Sequence, residues 1–121
     1  DDSINRLVYI KNQIARNELY IARYYSKRSA HVAAIERVKY MLENYGGTPS
    51  TEEGIIILID SYNNLGMEDM AYDSARVLKK NYPAYEISKS GNKVTVSKVQ
   101  EEVYSTTSKE KSWLDYLNIF N

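Results

Sequence analysis

The chain has no cysteine, one histidine, two prolines and five glycines among its 121 residues. Without thiols it holds no disulfide framework and no thiolate metal site, and the redox state of its compartment leaves no mark on it. The lone His31 leaves only carboxylates as co-ligands for an imidazole-bound metal, and it removes any nucleophile-histidine arrangement built on a second histidine. No apolar run approaches the roughly 20 residues of a membrane-spanning helix, and no charged-apolar-small signal pattern opens the chain. Asp1 stands where a methionine would, which suggests a fragment or a processed chain. Sixteen Lys and Arg balance sixteen Asp and Glu, so the basic excess that meets a phosphate backbone is missing. Nor does the sequence carry a glycine-rich phosphate loop, zinc-ligand spacing or a nucleophile motif.

What is present is tyrosine: twelve, against one Phe and one Trp. Tyrosine packs its ring while keeping a hydroxyl for water or a partner, which suits a thin fold with little deep core. Hydrophobic spacing predicts a helix over 4–25, with Ile4, Leu7, Val8, Ile14, Ile21 and Tyr25 on its apolar side and Asp1 to Ser3 as N-cap. A polar turn over 26–29 leads to a second helix over 30–44, striped by Ala34, Val38, Met41 and Leu42 and ended by Gly46, Gly47 and Pro49. Ser50 or Thr51 with Glu52 and Glu53 marks a third helix start. The run Ile55, Ile56, Ile57, Leu58, Ile59 has strand propensity, but its capped start and its place in a repeat predict helix. Glu68 or Asp69 caps a fourth helix to about Asn81. Beyond Pro83 the residues form a tail over 84–121, in which Val94, Val96 and Val99 nearly alternate. Trp113, Leu114, Leu117 and Phe120 share one helical face there, and the tail is expected to fold back on the last helix pair as a cap.

Aligning Tyr25 with Tyr62 brings Ala34 onto Ala71, Val38 onto Ala75, Met41 onto Leu78 and Ser29 onto Gly66, a period of 37 residues. That is close to the roughly 34-residue tetratricopeptide unit with three extra loop residues. The expected fold is all-α: tetratricopeptide-like helix-turn-helix repeats stacked as a short right-handed superhelix. The repeat domain runs over 1–83, with units at 18–46 and 55–83 and a long leading helix from 3.

The segments Arg6 to Lys11, Ala22 to Tyr25, Ala33 to Val38 and Ala71 to Leu78, in that order and at that spacing, make the chain similar over about 3–83 to a narrower family. It resembles the C-terminal half of the BamD (ComL) lipoproteins of the β-barrel assembly machinery. The resemblance implies a non-enzymatic periplasmic scaffold at the inner face of the outer membrane, held there by an N-terminal lipid anchor. It further implies docking of the barrel-proximal POTRA domain of BamA and of accessory lipoproteins, with no cofactor. The family's lipidated cysteine and first repeats have no counterpart in these residues. A generic tetratricopeptide adaptor that grips an extended peptide in its concave groove is the competing expectation.

Five residues stand out as candidate partner contacts. Arg37 matches a family arginine to which the resemblance assigns a charge contact with the POTRA domain; a guanidinium fork binds a carboxylate bidentately. The competing role is a solvated helix-face arginine. Arg23, Lys27 and Arg28 crowd the first interhelix turn with His31, either as a patch that steers an acidic surface or as solubilising charge. Tyr24 points about 100° away from the core residue Tyr25, toward an exposed or concave face or into packing between repeats. The carboxylates Glu52, Glu53, Asp60, Glu68, Asp69 and Asp73 fall at or near helix starts, where capping and dipole compensation explain them.

Overall fold

The computed structural model describes residues 1–99. Four helices come first: α1 (Asp2–Lys27), α2 (His31–Tyr45), α3 (Thr51–Asn64) and α4 (Glu68–Asn81). A hairpin of β1 (Tyr85–Ser90) and β2 (Lys93–Lys98) follows. The helices are those expected from the spacing, and the ambiguous isoleucine run is helical. It can be, because α3 is sandwiched: Ile55, Ile57, Leu58 and Ile59 are all buried, against α2 on one side and α4 on the other. Burial around much of the circumference favours an almost continuous apolar run over a one-sided stripe.

The turns inside the two helix pairs, α1–α2 and α3–α4, are built alike. In the first, Ser29 N–H donates to Ser26 O (3.1 Å) and Ala30 N–H to Tyr25 O (2.9 Å); in the second, Gly66 N–H donates to Asn63 O (3.0 Å) and Met67 N–H to Tyr62 O (2.9 Å). This double pattern satisfies orphan carbonyls at a helix end and needs a left-handed residue between. Ser29 holds φ 61° and Gly66 φ 74° at equivalent positions. Ser29 therefore bears a steric cost that glycine avoids.

Helix starts depart from expectation. Asp1 does cap α1, its Oδ1 accepting from Ser3 N–H at 3.1 Å. Neither Ser50 nor Met67, which precede α3 and α4, makes a side-chain cap. The carboxylates expected to serve these starts reach across the fold. Glu52 Oε2 accepts from Tyr85 Oη at 2.6 Å and lies 3.3 Å from Lys98 Nζ, Glu53 pairs with Arg23, and Glu68 pairs with Lys89. A helix-start carboxylate keeps the dipole benefit while its tip serves a tertiary contact.

The apolar side of α1 also differs. Ala15, Leu19 and Ala22 are its buried residues, while Ile4, Leu7 and Val8 are more than half exposed. The reason is length: α1 has 26 residues and α2 has 15, so the first turns of α1 extend past their partner.

The hairpin adds strands to a fold expected to be all helix. Gly91, at φ 64°, opens the two-residue connection between paired Ser90 and Lys93, and the alternation of Val94 and Val96 turns one face inward. Both strands pack on α4, and β2 also touches α3. Asn63 closes the edge of β2 as a third strand would: its Nδ2 donates to Val94 O (2.7 Å) and its Oδ1 accepts from Val94 N–H (3.0 Å). The terminal helix expected around Trp113 to Phe120 lies outside the described residues.

Replacing Asn63 by Ala leaves the N–H and C=O of buried Val94 without these partners, which should cost about 1–3 kcal/mol. Amide exchange should show the loss first as lowered protection in the hairpin, ahead of any change in α1 and α2. The second prediction concerns alkali. Burial and then the bond to Glu52 push the Tyr85 phenol up to about 12, and burial and then the Glu52 charge push Tyr82 up to about 12. An unfolded chain releases these protons near 10, so the stability the two phenols lend is complete below pH 10 and is lost as pH rises toward 12. Melting across that window should show a decline that the double variant Tyr82→Phe, Tyr85→Phe flattens.

Candidate partner-binding face

The solvent side of α1 carries Tyr9, Gln13, Arg16, Tyr20, Tyr24 and Lys27 at three- and four-residue steps, so these side chains lie along one strip. It begins with Gln13 Nε2 donating to Tyr9 Oη at 2.9 Å. It ends in a shallow depression of about 100 Å³ lined by Tyr20, Arg23, Tyr24 and Lys27. Tyr20 is 68% exposed and Tyr24 48%. Tyr24 is therefore a surface residue and does not pack between helix pairs.

Tyr24 is nonetheless held in place. Its ring meets Tyr25 edge-on, centroids 5.7 Å apart and planes at 75°, and the Arg28 guanidinium carbon sits 4.3 Å from its centroid. Such a cation–ring contact contributes about 0.5–1 kcal/mol at an exposed site. Its greater effect is to order two long side chains before anything binds, which lowers the entropy lost on docking. Lys27 and Arg28 also stand at the C-terminal end of α1, where cations are favoured by the helix dipole.

Two of the five candidates are engaged elsewhere. Arg23 Nε donates to Glu53 Oε2 at 2.8 Å and its Nη2 to the same oxygen, tying α1 to α3. Arg37 Nη1 donates to Glu18 Oε2 at 3.1 Å, tying α2 to α1. Glu18 lies six residues before Tyr24, so Arg37 meets α1 about 120° around the helix from that ring. The structure thus gathers Arg23, Tyr24, Lys27 and Arg28 and keeps Arg37 apart. It adds Tyr20, which its spacing of four from Tyr24 signals in the sequence. The carboxylates Glu18 and Glu53 had no local signal, because each meets its arginine only through helix packing.

A larger recess of about 340 Å³ opens at the other end of the helices, between Thr48, Thr51, Glu52, Asn81 and Tyr82. None of the five candidates borders it, and its one carboxylate, Glu52, is held by Tyr85 and Lys98. The α1 strip, with ordered aromatic rings beside cationic tips, is suited to a protein surface that offers carboxylates and apolar area.

Because Glu18 is largely covered, with its side chain 14% exposed, Arg37→Glu sets two carboxylates against each other. This should lower stability by about 1–2 kcal/mol, seen as a fall in Tm. Adding Glu18→Arg to the same chain should restore most of it.

A family model described as YfiO, outer membrane lipoprotein, matches residues 1–78. The chain is 39% identical over 80 residues to the outer membrane protein assembly factors BamD of Pasteurella multocida and Haemophilus influenzae, covering 66% of this chain and 31% and 30% of theirs. It is 38% identical over 82 residues to BamD of Neisseria meningitidis serogroup A, covering 68% of this chain and 31% of that one. The matched stretch spans about three tenths of each relative. The family match takes in α1 to α3 and α4 as far as Leu78, and stops before the hairpin.

Proposed function

This chain belongs to the YfiO family of outer membrane lipoproteins, and from that premise we propose that it is a non-enzymatic scaffold in outer membrane protein assembly. Its task is geometric. Stacked helix pairs present the ordered end of α1 to a partner domain and hold that domain in one orientation. The partner is the barrel-proximal POTRA domain of BamA, with accessory assembly lipoproteins as further contacts. The place of action is the periplasmic face of the outer membrane, reached by the full-length protein through an N-terminal lipid anchor.

The observation that carries this reading to a site is Tyr24, half exposed yet fixed between Tyr25 and Arg28. An exposed, immobilised aromatic beside an arginine has the make-up of an interface hot spot. Lys27 adds charge that steers an acidic surface. Arg23 and Arg37 act one step back, by setting how α1 sits against α3 and α2.

Calorimetric titration of the chain with the POTRA domain tests the reading. Tyr24→Ala with Arg28→Glu is expected to weaken binding about thirty-fold, equivalent to ~2 kcal/mol, with helix content retained and a modest fall in Tm from the lost ring contact and the reversed charge at the end of α1. Equal affinity of wild type and variant would remove the site. No binding by wild type, with capture of an extended peptide instead, would replace the docking function by that of a peptide adaptor.

A further inference from the structure

The recess at the start of α3 gathers hydrogen-bonding groups that the fold itself leaves unused. Thr48 and Thr51 border it, are only 5% and 3% exposed, and each has an Oγ1 with no hydrogen-bond partner. A buried hydroxyl without a partner is costly, and a ligand that supplies the partner recovers that cost. The backbone beside them is unsatisfied too. Thr51 N–H donates to Thr48 O and Gly54 N–H to Ser50 O, both at 3.1 Å, whereas Glu52 N–H and Glu53 N–H between them find no acceptor among the described residues. Ser50 supplies no side-chain cap, so the first turn of this 14-residue helix leaves two amides open beside a recess of about 340 Å³.

We propose that this recess receives a neutral carboxamide, the side chain of a glutamine carried on a protein partner. Charge selects a neutral group. An anion would meet the Glu52 and Glu53 carboxylates at the same helix start. A cation would meet the positive end of the α3 dipole and a Glu52 already paired with Lys98. A carboxamide joins an acceptor and two donors in one planar group. Its carbonyl accepts from the α3 amides and the threonine hydroxyls. Its NH2 donates to Asn81 Oδ1, since Asn81 Nδ2 is engaged by Val77 O (2.9 Å), and to Glu52 Oε1, since Tyr85 and Lys98 both use Oε2. Pro49 and Tyr82 give apolar walls to a stem of two methylenes. The recess lies at the opposite end of the helices from Tyr24, so this site does not rest on the docking of the α1 corner.

The test is N-acetylglutamine N′-methylamide, titrated into the full 121-residue chain and followed by backbone amide NMR. It should shift the Glu52 and Glu53 resonances saturably, with a Kd of about 1 mM for a probe of this size. The glutamate analogue, equal in shape but charged at pH 7, should bind about ten-fold more weakly. Thr48→Val with Thr51→Val should weaken the glutamine probe about ten-fold while Tm holds or rises, because a hydroxyl without a partner lends the fold nothing. No saturable shift in the wild type, or equal affinity for the two probes, would overturn the proposal. So would a fall in Tm of the double variant with glutamine binding unchanged, since the hydroxyls would then serve the fold alone.

Discussion

Close approach of helices at small side chains is the constraint on which this structure depends. Ala22, Ala34, Ala71 and Ala75 are fully buried, and Gly54 faces Met41 so closely that an added Cβ would fall 2.5 Å from Met41 Cε. Small residues at these buried positions leave room that larger side chains take up: the Met41 methyl fills the space beside Gly54, and Leu42, Ile55, Leu58 and Leu78 complete the core. Larger residues at the contact points would push the axes apart and open the layers they support. Each pair also needs its neighbour. The apolar surface of α3 is too wide for α4 alone, and it becomes a core only between two pairs.

That packing accounts for the division of labour among the charged residues. Arg23 and Arg37 sit where α1 meets its neighbours and bond to carboxylates on α3 and α1. Lys27 and Arg28 sit at the C-terminal end of α1, where none of the described residues pairs a carboxylate with them, and Arg28 settles over the Tyr24 ring. The frame thus absorbs part of the basic cluster and leaves the rest, with two tyrosines, at one exposed corner. A scaffold benefits from this arrangement, because an ordered contact corner on rigid helices spends little of its binding energy on becoming ordered.

The helices were legible because their signals are local. Tyr25 and Tyr62, Ala34 and Ala71, Ser29 and Gly66 keep the same distances in two copies, and the structure gives the paired turns the same hydrogen bonds. The hairpin was legible only in part: Gly91 and the alternating valines were visible, but short strands become stable through what they pack on and through Asn63, 31 residues earlier. The carboxylates were misread for a related reason. A glutamate at a helix start looks like a cap in one dimension, and Glu52 shows its other role only once Tyr85 and Lys98 are beside it.

The sequence by itself determined the four helices, their turns and their repeat, since spacing, glycine and small residues act through neighbours a few positions away. It also placed the tyrosines and cations of α1 along the chain. Only the tertiary structure decided which of those cations are consumed by ion pairs, that Tyr24 faces solvent, and that the apolar stripe of α1 continues beyond its partner. Those outcomes depend on helix lengths and on which surfaces meet, and burial is a property of pairs of elements that no single stretch of chain contains.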